Sequence, residues 1–253
     1  MNILLYLEYD GTHFHGYQRQ KEQRTVQGEL EKALYLLLKE EISVSGSSRT
    51  DAGVHAKSYP VTFETKSTIP PAKIAVALNQ YLPEDLKAQR SLEVPEGFNA
   101  RFHARGKTYA YRFLRRNQPS ALYRNYAYLV RKDLDIGLMK EAARAFIGVH
   151  DFTGFRSVGS SDPNPVKDMR EIRISEDGEF VTLYITASGF LYNMARILAG
   201  TLLDAGMGRI SGDEIRLILE SKERGKSMVL PPWGLYLEEV YYDEEDLENQ
   251  ESV

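Results

Sequence analysis

The strongest constraint on this chain is the order in which its apolar patterns change period, because the same order is read twice. Ile3 to Tyr9 is an apolar, aromatic run stopped by D-G-T, which predicts a strand. Thr25 can cap a helix to about Glu40, with Leu30, Leu34, Leu37 and Leu38 on one face. Ile42 to Gly46 reads as a short strand, and Tyr59 to Glu64 alternates as another. Pro70-Pro71 opens a helix through about Leu82, since Pro suits a first turn, and Leu86 to Val94 is a final strand. Then the order begins again. Lys107 to Leu114 reads as a strand, with Tyr109, Tyr111 and Phe113 on one face. Leu134 to Ile147 reads as helix. Met169 to Ser175 and Phe180 to Ala187 form a hairpin across Asp177-Gly178. A helix follows from Phe190 to about Asp204, stopped by Gly206; an added helix from Ser211 to Glu220; and a strand from Gly234 to Tyr242.

Each half spells β-α-β-β-α-β, the ferredoxin-like arrangement. The expectation is a mixed α/β (α+β) fold of two such halves. Their mostly antiparallel sheets adjoin, and helices pack on one side. The other sheet face stays open, as RNA-recognition domains use it. No sequence identity relates the halves. The expected boundaries are 1–98, 99–242 and an acidic tail at 243–253, with a mobile linker at 157–167. A chain of 253 residues that is 42% hydrophobic has ample core for this.

Charge is distributed unevenly. Arg101 to Lys132 holds nine Lys or Arg and no acid, interleaved with Phe102, Tyr109, Tyr111, Phe113, Tyr123, Tyr126 and Tyr128. Cations that neutralise phosphate beside rings that stack on bases suit a nucleic-acid surface. A buried Tyr/Phe face backed by an exposed Arg face would give the same pattern. Glu238 to Glu251 holds eight acids and no base, which fits a solvated tail. With no cysteine, disulfides and thiolate metal sites are excluded. The N-terminus does not read as a signal peptide, and no window approaches the ~18 apolar residues of a membrane span, so the expectation is a cytoplasmic protein.

The chain lacks a Walker loop, a G-x-G-x-x-G fingerprint and a G-x-S-x-G elbow. Its five His are scattered; His13 and His15 have no third ligand near, so no metal is expected. The stretch S-S-R-T-D-A-G-V-H-A, Ser47 to Ala56, sets one carboxylate, Asp51, two residues after Arg49. Asp before Ala-Gly can simply make a turn. A carboxylate that does chemistry in a dry site must instead stay ionised, which requires a nearby cation.

Six segments resemble the tRNA pseudouridine synthase A family, in the family's order and over nearly the whole chain. They are Y-D-G-T-H-F-H-G-Y-Q-R-Q (Tyr9 to Gln20), T-V-Q-G-E-L-E-K-A-L (Thr25 to Leu34), R-T-D-A-G-V-H-A (Arg49 to Ala56), N-A-R-F-H-A (Asn99 to Ala104), G-F-L-Y-N-M-A-R-I-L-A-G (Gly189 to Gly200) and P-P-W-G-L-Y-L (Pro231 to Leu237). The resemblance implies the pseudouridine synthase fold. It implies an isomerase acting on uridines of the tRNA anticodon stem-loop, at roughly positions 38 to 40. It matches Asp51 to the nucleophile, Tyr109 to the aromatic against the target base, Arg196 to the basic partner of the aspartate, and Arg49 to the arginine that helps displace the nucleotide. It implies a homodimer with no metal and no cofactor, and Asp51 in a cleft between the halves flanked by the basic segment.

Three positions depart from the pattern. Ser48 replaces the usual Gly, Tyr17 a common Trp and Ala195 a common Val. Ser tolerates positive φ poorly, which predicts a shifted backbone near Arg49. Two rival readings remain beside the isomerase. One is a non-catalytic RNA-binding protein. The other is a hydrolase, which would need a second carboxylate that the sequence does not set near Asp51.

Overall fold

The structure is a computed structural model that describes residues 1–159 and 162–247. Its strands are β1 (Asn2–Tyr9), β2 (Ser45–Gly46), β3 (His55–Glu64), β4 (Leu86–Val94), β5 (Gly106–Arg115), β6 (Tyr128–Val130), β7 (Gly148–Asp151), β8 (Val166–Asp177), β9 (Phe180–Ala187) and β10 (Leu235–Tyr241). Its α-helices are α1 (Val26–Leu38), α2 (Pro71–Leu78), α3 (Ile136–Ala143), α4 (Met194–Gly206), α5 (Gly212–Ser221) and α6 (Glu244–Leu247). The chain is mixed α/β with mostly antiparallel pairing, as the sequence predicts. It divides into two compact units, residues 1–105 together with the chain from 236 onward, and residues 106–235.

In the first unit β4 pairs with β1, β1 with β3, and β3 with β2, all antiparallel. That order is the ferredoxin-like sheet. Thr25 caps α1 by accepting the Gly28 N–H, and α2 opens at Pro71 with its Asn79 amide bonded to both the N–H and C=O of Ala88. Ile3, Leu5 and Leu7 of β1 are fully buried, and so is Leu4 on the opposite face. Leu4 and Tyr6 form a second apolar cluster with Val94, Phe98 and Ala100, flanked by Leu92, Tyr242 and Leu247. The sheet face expected to stay open is therefore covered at β1, because the segment after β4 and residues 242–247 fold over it.

The C-terminal strand is the main difference from the expected boundaries. β10 pairs in parallel with β3, Tyr236 opposite His55 and Leu237 opposite Ala56. From Tyr236 onward it thus groups with the first unit. The acidic tail is likewise not just a solvated run. Asp243 and Asp246 ion-pair with Arg105 at 2.6 and 3.3 Å, and Leu247 packs on the second cluster. Residues 248–253 of the tail, and 160–161 of the linker, lie outside the described residues.

In the second unit the sheet runs β6-β5-β9-β8-β7. β9 buries every second residue, Val181, Leu183, Ile185 and Ala187, as a half-buried strand does. The β8–β9 hairpin turns through Gly178 at φ +55. α4 is the core helix of this unit, with eleven of its residues buried. It starts at Met194, four residues later than Phe190, because Asn193 takes a left-handed conformation at φ +60 that no α-helix continues through. The segment Leu134 to Ile147 is α3 followed by a 3-10 turn at Arg144–Phe146. β6 and β7, of three and four residues, carry too little periodicity to be read from sequence.

Candidate active site

The loop from Ser47 to Val54 is shaped by glycines that precede it in the chain. A Cβ at Gly11 would stand 2.0 Å from the Val54 carbonyl oxygen. A Cβ at Gly16, whose φ is +83, would stand 2.6 Å from that of Thr50. The D-G-T-H-F-H-G-Y segment therefore presses directly on the R-T-D-A-G loop, and Tyr17 N–H donates to Thr50 O at 3.1 Å. The Val54 N–H donates to Asp51 O at 3.2 Å, with Gly53 at φ +79 supplying the positive φ of a type II turn. This closure uses the main chain of Asp51, so it sets no chemical requirement on the side chain there. Asp51 is half-buried and Arg49 exposed.

Aromatics hold the other side of the loop. Tyr59 is fully buried, and its hydroxyl donates to Ser48 O and accepts from Ser48 N–H. Tyr17 stacks on Tyr59 at 4.5 Å, and Tyr9 OH meets Thr50 Oγ1 at 2.8 Å. Tyr17, where Trp is usual, thus still serves as a buried ring beneath the loop. Among the described residues, the non-glycine positions with positive φ are Glu22, Lys39, Asn193 and Lys222. Ser48 is not one of them, so the expected strain at Ser48 does not arise.

His55, at the end of the same motif, is a feature that sequence reading missed. Its Nδ1 accepts the Gly11 N–H at 3.0 Å and lies 3.1 Å from Asp10 Oδ1. Its ring stacks on Tyr236 at 4.7 Å. His55 therefore ties the glycine segment and β10 to the loop. The signal is its place in R-T-D-A-G-V-H, four residues after Asp51.

Tyr109 and Arg196 lie in the second unit. Tyr109, on β5 opposite Ile185, is 6% exposed, nearly as buried as Tyr111 and Phe113. Burial alone does not separate it from those core rings. Its edge-on contact with the half-buried Phe190 at 4.8 Å does, since the loop carrying Phe190 leads straight into α4. Arg196 is not a surface cation. Its Nε donates to Leu230 O at 2.5 Å and its Nη1 to Asn193 Oδ1 at 2.7 Å. Asn193 is held in turn by donating to Ser157 Oγ at 2.9 Å.

Gly200 makes this possible. A Cβ there would stand 2.3 Å from Met228 O, so only glycine lets 228–230 lie against α4 and bring Leu230 O to Arg196. Gly234 similarly admits the Tyr111 ring, whose hydroxyl donates to Pro231 O at 2.8 Å. Burial pushes the Tyr111 phenol well up from its ordinary value, against the opposing pull of the Arg196 charge.

The basic segment is divided between the two units. Arg101 to Arg105 belongs to the first unit and the rest to the second. Tyr109, Tyr111 and Phe113 are core, whereas Phe102 is 75% exposed with the Arg101 guanidinium 5.6 Å from its ring centre. Arg105, Arg115 and Arg116 are ion-paired with acids. Among the described residues no three or more His, Cys, Asp or Glu gather as a metal set, and no helix is long and apolar enough to cross a membrane.

This architecture is consistent with the fold of pseudouridine synthases. A family model described as tRNA pseudouridine synthase matches residues 6–103 and 142–243. The chain is 47% identical over 242 residues to tRNA pseudouridine synthase A of Clostridium acetobutylicum, and 46% over 242 residues to that of Caldicellulosiruptor bescii. It is 45% identical over 242 residues to tRNA pseudouridine synthase A 2 of Clostridium perfringens. Each match covers 95% of this chain and 99% of the relative. The chain belongs to the tRNA pseudouridine synthase family, isomerases that convert uridine to pseudouridine in tRNA.

Proposed function

We propose that the enzyme acts on uridines of the tRNA anticodon stem-loop, at roughly positions 38 to 40, with Asp51 as nucleophile. The observation that carries this is the Asp51 loop. It keeps R-T-D-A-G in a chain of the family and presents a half-buried Asp51 on a turn closed through its own main chain.

The reaction breaks the C1'–N1 bond, turns the uracil and bonds C1' to C5; C5 then loses its proton. Attack by a carboxylate on sugar or base, or removal of a sugar proton, needs Asp51 ionised. Arg196 is the cation for that role, a guanidinium already oriented by Leu230 O and Asn193. Tyr109 holds the face of the base once it leaves the stack, and its hydroxyl relays the C5 proton. Phe190 and Leu191 are the apolar walls that retain the detached uracil. Arg49, exposed beside the turn, helps displace the nucleotide. The working form is a cytoplasmic homodimer.

The test is tritium release from C5-labelled uridine in unmodified tRNA, comparing the parent with Asp51→Asn. Release by the parent alone is expected, with tRNA binding retained by the variant; release by the variant at the parent's rate removes Asp51 from the chemistry. Mapping the modified nucleotides checks the positions.

A further inference from the structure

The second unit holds a cavity of about 310 Å³ whose lining includes neither Arg196 nor Tyr109. Tyr123, Tyr128, Trp233, Pro119, Arg124 and Arg131 line it, and none of its lining residues is an acid. Its walls are fixed in place. Arg116 donates to Gln118 O at 2.8 Å and Pro119 O at 3.1 Å, while Arg131 donates to Asn117 O at 3.3 Å. Tyr123 N–H donates to Ser120 Oγ at 3.0 Å, and its ring stands edge-on to Phe180 at 4.9 Å. Yet Tyr123 is 37% and Trp233 39% exposed. Large rings held at the rim of a hollow beside guanidinium groups, with no carboxylate, are the composition that takes single-stranded nucleic acid. The volume is at the small end of ligand cavities, about 300–1,000 Å³, which suits one nucleotide and not a duplex.

We propose that this cavity is a second RNA subsite. It takes one unpaired nucleotide of the tRNA, other than the target uridine, with its base against the Tyr123 and Trp233 rings and its phosphate on Arg124 and Arg131. The proposal rests on the tRNA reading above and extends it, because a contact made equally before and during the reaction adds affinity without changing the chemical step.

Trp233 is the only tryptophan in the chain, so emission excited selectively at tryptophan reports this wall. Unmodified tRNA is titrated into the parent and into Asp51→Asn, with filter binding measured in parallel. Quenching that tracks the binding curve is expected. Tyr123→Ala should raise KM about tenfold, the loss of one base–aromatic stack, with kcat kept. Tyr123→Phe should restore it. Arg124→Gln, at an exposed position, should weaken binding and reduce the slope of log affinity against log salt by about 1. Bound tRNA that leaves Trp233 emission unchanged overturns the subsite, and so does a folded Tyr123→Ala with unaltered KM. Quenching by tRNA without C5 release from the parent would retain the subsite and sink the isomerase reading instead. Failure of tRNA to bind at all would sink both.

Discussion

Gly200→Ala sets two known effects against each other in one residue. On helix propensity alone, alanine in mid-helix is better than glycine by roughly 0.8–1 kcal/mol. Packing says the opposite. The added Cβ would stand 2.3 Å from Met228 O, about an ångström short of ordinary contact, and the obstacle is backbone. Overpacking of this kind costs about 1–3 kcal/mol, so the net expectation is a loss of up to about 2 kcal/mol. For a chain of this length that lowers the midpoint of thermal unfolding by up to about 4–8 °C. The larger effect is on activity. Retreat of 228–230 carries Leu230 O away from Arg196 Nε, its partner at 2.5 Å. A displacement of about 1 Å in a positioned group can cost about 100-fold. The assays are a thermal melt and C5 tritium release at saturating tRNA. A variant that melts higher than the parent and turns over normally would refute the reasoning, for it would mean that 228–230 neither presses on α4 nor sets Arg196.

Other expectations follow from the same geometry. Tyr59→Phe removes the hydroxyl that serves both backbone groups of Ser48; it should cost about 1–3 kcal/mol and lower kcat, checked by denaturant unfolding and single-turnover release. Ser211→Ala deletes the capping box of α5 and should cost about 0.5–2 kcal/mol while leaving C5 release unchanged. Asp85 is held below its ordinary pKa by two hydrogen bonds from Arg24, both at 2.7 Å. Its contribution is therefore present above an unfolded carboxylate pKa of about 3.9 and is lost as pH falls through the lower folded value. Asp85→Asn should flatten the decline of stability below about pH 4, and at neutral pH should cost no more than about 1 kcal/mol, since the pair is partly exposed.

What could be read without the structure was what is decided locally. Thr25 and Ser211 cap their helices because a hydroxyl and a nearby N–H are set by three residues of spacing. β4 and β9 begin and end at the residues their patterns mark. What could not be read depends on distant partners. Nothing in L-Y-L-E-E-V-Y says that β10 will pair with β3. The open sheet face was lost to Phe98 and Tyr242, whose apolar character is visible but whose destination is not. At the candidate site, Asp51, Arg49, Tyr109 and Arg196 were found by resemblance to a family. The devices that shape their surroundings are close approaches of glycine to carbonyl oxygens at Val54, Thr50 and Met228, and no pattern of side chains encodes those.

The pairing of β10 with β3 has a consequence for how the protein is made. Lys57 and Glu238, which pair at 2.9 Å, are 181 residues apart in the chain. A growing chain presents β3 long before β10 exists, so the edge near His55 stays bare through most of synthesis. Bare edges recruit other strands, and distant pairings form late. The loop around Asp51 is thus completed by a strand made long after it. A chain cut short before β10 would carry the whole R-T-D-A-G motif and still lack the Tyr236 ring that seats His55.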